Sequence, residues 1–257
     1  MKTHTPTILI TGASSGFGAA CARRFARDGA RLILLARSQR PLQALADELA
    51  GQAEAVLVRV LDMRDRAAVL GLREDLPPEW RDIDILVNNA GLALGVAPAH
   101  EADLEDWEQM VETNILGLIR LTRALLPGMV ARNRGHIINI GSTAASWPYP
   151  GGNAYGGSKA FVAQFTRNLK ADLVGTALRV SNIEPGLANT NFSKTRFKGD
   201  AAQADAVYAG TEPLRAEDIA QTVHWIASQP AHVNINSVEI MPTCQAWAGW
   251  AVDRAPT

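Results

Sequence analysis

TILITGASSGFG, residues Thr7 to Gly18, is the stretch on which the reading of this chain turns. Thr7–Ile10 is a short β-branched and apolar run that reads as a strand. It meets Thr11-Gly12-Ala13-Ser14-Ser15-Gly16-Phe17-Gly18, a GxxxGxG turn opening a helix. Gly12 permits a tight turn, Gly16 lets backbone approach a diphosphate, and Gly18 lets helix and strand pack closely. Ser14, Ser15 and Phe17 complete the candidate cradle, and the helix N-terminus supplies free N–H groups and a partial positive charge. A glycine triplet by itself is also an ordinary strand-to-helix turn. Its place after the first strand of an alternating chain favours dinucleotide binding.

That alternation runs the length of the chain. Near-continuous Val/Ile/Leu runs predict strands at Thr7–Ile10, Arg31–Ala36, Ala55–Val60, Ile83–Asn88, Gly135–Ile140, Ala177–Ile183 and Ser237–Met241. Such runs are the mark of parallel strands buried on both faces. Helices are predicted near Phe17–Asp28, Leu42–Ala50, Arg64–Leu76, Leu104–Arg132, Tyr155–Leu173 and Ala216–Ser228. Strand–helix alternation implies right-handed crossovers and an α/β, doubly wound parallel sheet with helices on both faces. No linker or repeat interrupts it, so residues 1–257 read as one domain. Thr143–Asn153 and Leu187–Gly210 break the rhythm as long mixed stretches. Both follow strands at the carboxyl edge, where ligands bind in such sheets, and read as binding loops.

Composition narrows the function classes. The chain has 257 residues, 47% hydrophobic, with 25 Lys plus Arg against 26 Asp plus Glu. A net charge of −1 disfavours a nucleic-acid or membrane-surface binder. Cys21 and Cys244 lack metal or disulfide spacing, and low cysteine usage fits a reducing compartment. Cys21 reads as a core thiol. His4, His100, His136, His224 and His232 form no ligand pair, so no metal is expected. No secretory leader is read in MKTHTPTILITG, and no membrane span is expected. The expectation is a soluble cytoplasmic protein acting on a small molecule.

The second strand ends Ala36-Arg37-Ser38-Gln39-Arg40. A site for NAD would place a carboxylate here to accept from the ribose 2′-hydroxyl. Ala36 cannot, whereas Arg37, helped by Ser38 and Arg40, can grip a 2′-phosphate. NADP(H) is therefore expected over NAD(H), against the plainer alternative of a solvated basic loop. Further along, Tyr155 and Lys159 stand four apart on one predicted helix, so they share a face. A free phenol, pKa about 10, is a poor base at neutral pH. A neighbouring ammonium would favour its ionised form and make Tyr155 a proton carrier. Ser142, after the fifth strand, can bond the same substrate oxygen. Asn114 interrupts a long helix pattern, a place where short amides hold a water or a local kink.

Together, Thr11–Gly18, Asn88-Asn89-Ala90-Gly91, Asn114, Ser142, Tyr155, Lys159 and Pro185-Gly186 resemble the short-chain dehydrogenase/reductase family, in its order and spacing. The resemblance covers nearly the whole chain and implies a Rossmann-fold, homotetrameric oxidoreductase using a nicotinamide cofactor. It implies Tyr155 as general acid/base, Lys159 binding the nicotinamide ribose and lowering the tyrosine's pKa, and Ser142 positioning the substrate oxygen. It implies a relay water at Asn114, adenine contacts at Asp62 and Met63, and a ribose wall at Asn89, Ala90 and Gly91. Pro185, Gly186 and Thr190 match the segment that fixes the carboxamide.

The stretches IDILVNNAGLALG, GHIINIGSTAASWPYPGGNAYGGSKAFV, NIEPGLANTNFSKTRFKGD and PAHVNIN resemble, more narrowly, the family's NADP-dependent 3-hydroxy acid dehydrogenases. That group acts on L-serine, L-allo-threonine and related acids. It commonly carries a second basic residue where Ser38 stands, and its lid is one residue longer around Leu187–Asn191. For the carboxylate of such a substrate, Arg196 and Lys198 are candidates, each also readable as a surface charge. Glu184 is a candidate for a substrate ammonium, though its backbone alone is the plainer reading. Trp147, Tyr149 and Phe192 are candidate walls. Trp225 reads as helix core or an interface residue, and Trp247 and Trp250 suggest an interface, in a tail expected to meet a neighbouring subunit. The competing readings are a reductase of larger apolar ketones or 3-oxoacyl thioesters, and a non-catalytic NADP(H)-binding protein.

Overall fold

The computed structural model describes residues 4–247. Seven parallel strands form one sheet in the order β3-β2-β1-β4-β5-β6-β7. They are β1 Thr7–Thr11, β2 Arg31–Ala36, β3 Ala55–Val60, β4 Ile85–Asn88, β5 His136–Ile140, β6 Arg179–Pro185 and β7 Ser237–Ile240. The doubly wound α/β expectation holds. The order reverses between β1 and β4, which opens a crevice at the carboxyl edge there.

Strand pleating decides what each residue touches. Ile8 and Ile10 enter one core, with helices α1 (Gly16–Ala26), α2 (Gln39–Leu49) and α9 (Ala216–Ala227). Leu9, between them, enters the other, with α3 (Arg66–Asp75), α5 (Leu118–Ala131) and α6 (Asn153–Asp172). Leu32 and Leu34 divide from Ile33 and Leu35 in the same way. Each such side chain removed from water contributes about 1.5–3 kcal/mol. Cys21 is fully buried in the first core, as expected.

A polar thread crosses the second layer. Asn88 donates to Thr122 (3.1 Å) and to Asn139 (2.9 Å). Asn139 donates to Thr166 on α6 (2.9 Å), whose hydroxyl donates to Val162 O. Buried amides keep their place only where such partners exist, so this thread fixes α6 against β4 and β5. At the amino edge, the nearly buried Asp84 accepts from Thr7 N–H (2.9 Å) and pairs with His4 (2.8 Å) and Arg134 (2.7 Å).

The predicted helix Leu104–Arg132 is divided: α4 (Leu104–Val111), a π-helical turn at Glu112–Gly117, then α5. The kink anticipated at Asn114 is that π-turn. Leu104–Ala131 contains an 18-residue window of mean hydropathy 1.2. Its Leu118, Leu121, Leu125 and Met129 are buried within the fold. The first long loop carries a 3-10 turn at Thr143–Ala145. The second, where a loop is expected, folds into α7 (Phe192–Arg196) and α8 (Ala201–Ala206). After β7 the chain turns back over the carboxyl edge, where Gln245 Oε1 accepts Leu187 N–H (2.6 Å). Trp250 lies outside the described residues.

Candidate active site

The crevice between β1 and β4 opens into a cavity of about 550 Å³ that runs from the glycine turn to α7. Gly12 and Gly16 hold φ of +64° and +52°, angles that side-chain-bearing residues rarely adopt. Ser15 caps α1 from extended backbone without spending its hydroxyl on the helix, which leaves the first N–H groups facing the crevice. Gly18 is a packing glycine: a Cβ there would stand 2.4 Å from Gly12 O. Asn89 locks the turn from β4, donating to Thr11 O (2.8 Å), while Thr11 Oγ1 accepts the N–H groups of Asn89 (2.9 Å) and Ala90 (2.8 Å). Adjacent backbone amides at a helix N-terminus form an anion cradle, so the residues fit a dinucleotide's diphosphate.

Beyond the turn, Arg37, Ser38, Asp62 and Met63 line the same cavity. Ser38 caps α2 without a side-chain cap bond, so its hydroxyl is spare. The Arg64 guanidinium grips Asp62 (2.7 Å) and, with a smaller contribution from Arg37, holds its carboxyl below the usual range.

At the other end, Ser142, Tyr155 and Lys159 converge on the cavity. Tyr155 is the third residue of α6, because the helix starts at Asn153, two residues earlier than predicted. Lys159 Nζ lies 5.9 Å from the Tyr155 ring centroid and donates to Ile140 O (2.7 Å). Burial pushes Lys159 down to about 8 and the Tyr155 phenol up to about 12. Against that burial, the Ser142 hydroxyl and the Arg196 guanidinium favour the phenolate. The Lys159 amine, itself desolvated, is turned to the Ile140 carbonyl.

Asn114 does not line the cavity. Its amide bridges Leu92, accepting N–H (2.9 Å) and donating to O (2.8 Å), and also donates to Ser158 (3.0 Å). It ties the π-turn to the exit of β4 and to α6. A Cβ on Gly91 would stand 3.2 Å from Asn114 Oδ1 and 3.5 Å from Lys159 Nζ, which shows how tightly the three elements meet.

Over Tyr155 stands Arg196. Its Cζ lies 5.2 Å from the Tyr155 ring centroid, 5.2 Å from that of Phe192 and 5.7 Å from that of Tyr149. One Nη donates to Tyr149 Oη (2.9 Å), while the buried Nε has no partner. The guanidinium lines the cavity, and its fork of donors suits a carboxylate. Phe192 packs 5.5 Å from Tyr155, and Thr190 comes within van der Waals reach of a Cβ placed on Gly16, so this segment lies across the crevice.

The structure thus gathers almost every predicted site residue, Pro185 and Gly186 included, at one cavity. The exceptions are Gly18, Arg40, Asn114, Glu184 and Lys198. Arg40 is exposed on the first turn of α2. Glu184 is buried beside the cavity, accepting from Asn182 (2.7 Å), and its carboxyl is raised by burial and by Glu239. Its side chain is thus engaged within the fold, which goes beyond the backbone-only reading without bringing the carboxylate to the cavity wall. Lys198 is spent on Asp106 (2.9 Å). Missed by sequence reasoning were Tyr208, Met241 and Gln245, all lining residues. No local pattern marks them, because distant backbone brings them in. Among the described residues no group of three His, Cys, Asp or Glu is placed to hold a metal.

A family model described as short chain dehydrogenase matches residues 6–201. The chain is 58% identical over 249 residues to the NADP-dependent 3-hydroxy acid dehydrogenase YdfG of Salmonella typhi, covering 96% of this chain and 99% of the relative. It is 52% identical to sulfoacetaldehyde reductase 2 of Chromohalobacter salexigens, over 96% and 98% of the two chains. Among solved structures, the closed form of serine dehydrogenase complexed with NADP+ superposes with a TM-score of 0.94 at 54% identity, covering 97% of this chain and all of that one.

Proposed function

The chain belongs to the short chain dehydrogenase family, and on that footing we propose that it is an NADP(H)-dependent oxidoreductase interconverting a small 3-hydroxy acid and its 3-oxo acid. The observation that carries the reading is the Arg196 guanidinium standing over Tyr155 in the cavity that begins at the glycine turn.

On this reading each residue has its task. The N-terminus of α1 and the Gly12–Gly18 turn hold the diphosphate, Arg37 and Ser38 the 2′-phosphate, and Lys159 the ribose. Asp62 and Met63 flank the adenine, and Pro185 through Thr190 the carboxamide. When bound, NADP(H) supplies the hydride acceptor or donor. Arg196 binds the substrate carboxylate and thereby orients the hydroxyl toward Tyr155. Ser142 donates to the substrate oxygen, and the Tyr155 phenolate takes its proton during oxidation or returns it during reduction. Asn114 holds the π-turn that shapes this end of the cavity. Trp147 and Phe192 exclude water.

The 52% identity to a sulfoacetaldehyde reductase supports an anionic small substrate as the common theme. The free thiols Cys21 and Cys244 support a reducing, cytoplasmic setting. Exposed Leu104, Val111, Val130 and Phe161 on α4–α6, and Trp225 on α9, support a homo-oligomer of the kind the family resemblance implies, a homotetramer.

The test is turnover, read as reduced-nicotinamide absorbance, with L-serine, L-allo-threonine, 3-hydroxypropanoate and neutral alcohols. Wild type should oxidise the acids with NADP+. Tyr155→Phe should bind NADP+ normally and turn over at least about a hundredfold more slowly, the scale of a lost general acid/base. Neutral alcohols oxidised as well as the acids would overturn the substrate assignment.

A further inference from the structure

The last strand, the segment that follows it and a loop some ninety residues earlier meet at one carboxylate on the substrate side. Glu239 lies on β7, the last strand of the sheet. Its Oε2 accepts the indole N–H of Trp147 (2.9 Å), from the loop after β5. Its Oε1 accepts the indole N–H of Trp247 (2.8 Å), from the returning C-terminal segment. The two rings stand 5.8 Å apart, tilted at 52°, and both line the cavity. We propose that Glu239 is a positioning residue for substrate size: it fastens the two indoles side by side and so confines the substrate end of the cavity to small acids.

The chemistry requires a carboxylate. An indole is a donor only, and two donors need two acceptor oxygens. Ionised Glu239 offers both. A glutamine offers one, and its amide would face the second indole with another donor. Without the bond the indoles lose their shared anchor, and both are exposed enough to move, Trp147 at 39% and Trp247 at 57%. The width of the cavity is then no longer set. Gln245 strengthens the arrangement two residues earlier, pinning the same segment to Leu187 N–H (2.6 Å).

The proposal rests on reading this cavity as the substrate site, so its test has a readout that needs no turnover. Acrylamide quenching of tryptophan fluorescence should rise in Glu239→Gln, and should not rise when the same change is made in a Trp147→Phe, Trp247→Phe background. In kinetics, Glu239→Gln should raise KM for 3-hydroxypropanoate about fivefold, the scale of one partly exposed charge-assisted hydrogen bond. It should leave kcat within about twofold and NADP+ affinity unchanged, and raise the relative kcat/KM for 3-hydroxyhexanoate about tenfold. Unchanged quenching, or equal losses on both acids together with weakened NADP+ binding, overturns the proposal. Altered quenching with no hydroxy acid oxidised even by wild type would instead refute the function proposed above and leave the indole pairing standing.

Discussion

Replacing Arg196 by Met keeps the side chain's reach over the Tyr149, Tyr155 and Phe192 rings and removes its charge. Two losses follow, and they separate by substrate. The first is the bond to the substrate anion. A charge-assisted hydrogen bond contributes about 1.5–3 kcal/mol, and because Arg196 is partly exposed the lower end applies, roughly a tenfold to thirtyfold fall in kcat/KM for 3-hydroxypropanoate. The second falls on every substrate. The guanidinium carbon sits 5.2 Å from the Tyr155 ring and favours its phenolate. With water-like screening that is about 0.8 kcal/mol, so the alkaline midpoint for oxidation should rise by about 0.6 unit. The sign is fixed: burial raises the phenol, the cation opposes burial, and removing the cation leaves the base protonated to higher pH. The assay is kcat/KM against pH for 3-hydroxypropanoate and for a neutral alcohol of the same length. A parallel fall for both, with the pH profile unmoved, would show that Arg196 neither reads the anion nor acts on the phenol.

Three further substitutions probe the scaffold of the site. A Cβ on Gly157 meets nothing within 4 Å, so Gly157→Ala should stabilise α6 by about 0.5–1 kcal/mol and raise the calorimetric Tm by about 2 °C with turnover kept. Gly18→Ala places a methyl 2.4 Å from Gly12 O and 2.7 Å from Asn89 Nδ2; it should cost about 1–3 kcal/mol, read as a lower Tm with weakened NADP+ binding by titration calorimetry. Arg37→Asp should lower the NADP/NAD ratio of kcat/KM by about thirtyfold or more, and an unchanged ratio would return Arg37 to the solvated basic loop.

The sheet was legible because its strands are buried on both faces and carry unbroken apolar runs. Strand ends were less so. The run predicted at Ala177–Ile183 forms a strand over Arg179–Pro185, because Asn133 Oδ1 takes Ala177 N–H (2.8 Å) into a turn, while pairing with β7 carries the strand on through Pro185. Periodicity showed one helix over Leu104–Arg132, since a π-turn adds to the spiral without breaking its apolar stripe. The short α7 and α8 have too few turns to show a period, yet α7 ends in Arg196. The glycine turn and the Tyr155–Lys159 pair were legible as local spacing. The Arg196 cage and the Glu239 pairing were not, since they join residues brought together only by the folded sheet.

The cluster around Asp84 has a consequence for how this protein can change. It closes the amino edge of the sheet, while every residue proposed for chemistry gathers at the opposite edge. Strands of about five residues set the two roughly 16 Å apart. Robustness and specificity are therefore tuned from different ends of the same strands. Variation that hardens the Asp84 end can accumulate without retuning which acid is turned over, and a drifting substrate preference need not cost the fold its anchorage.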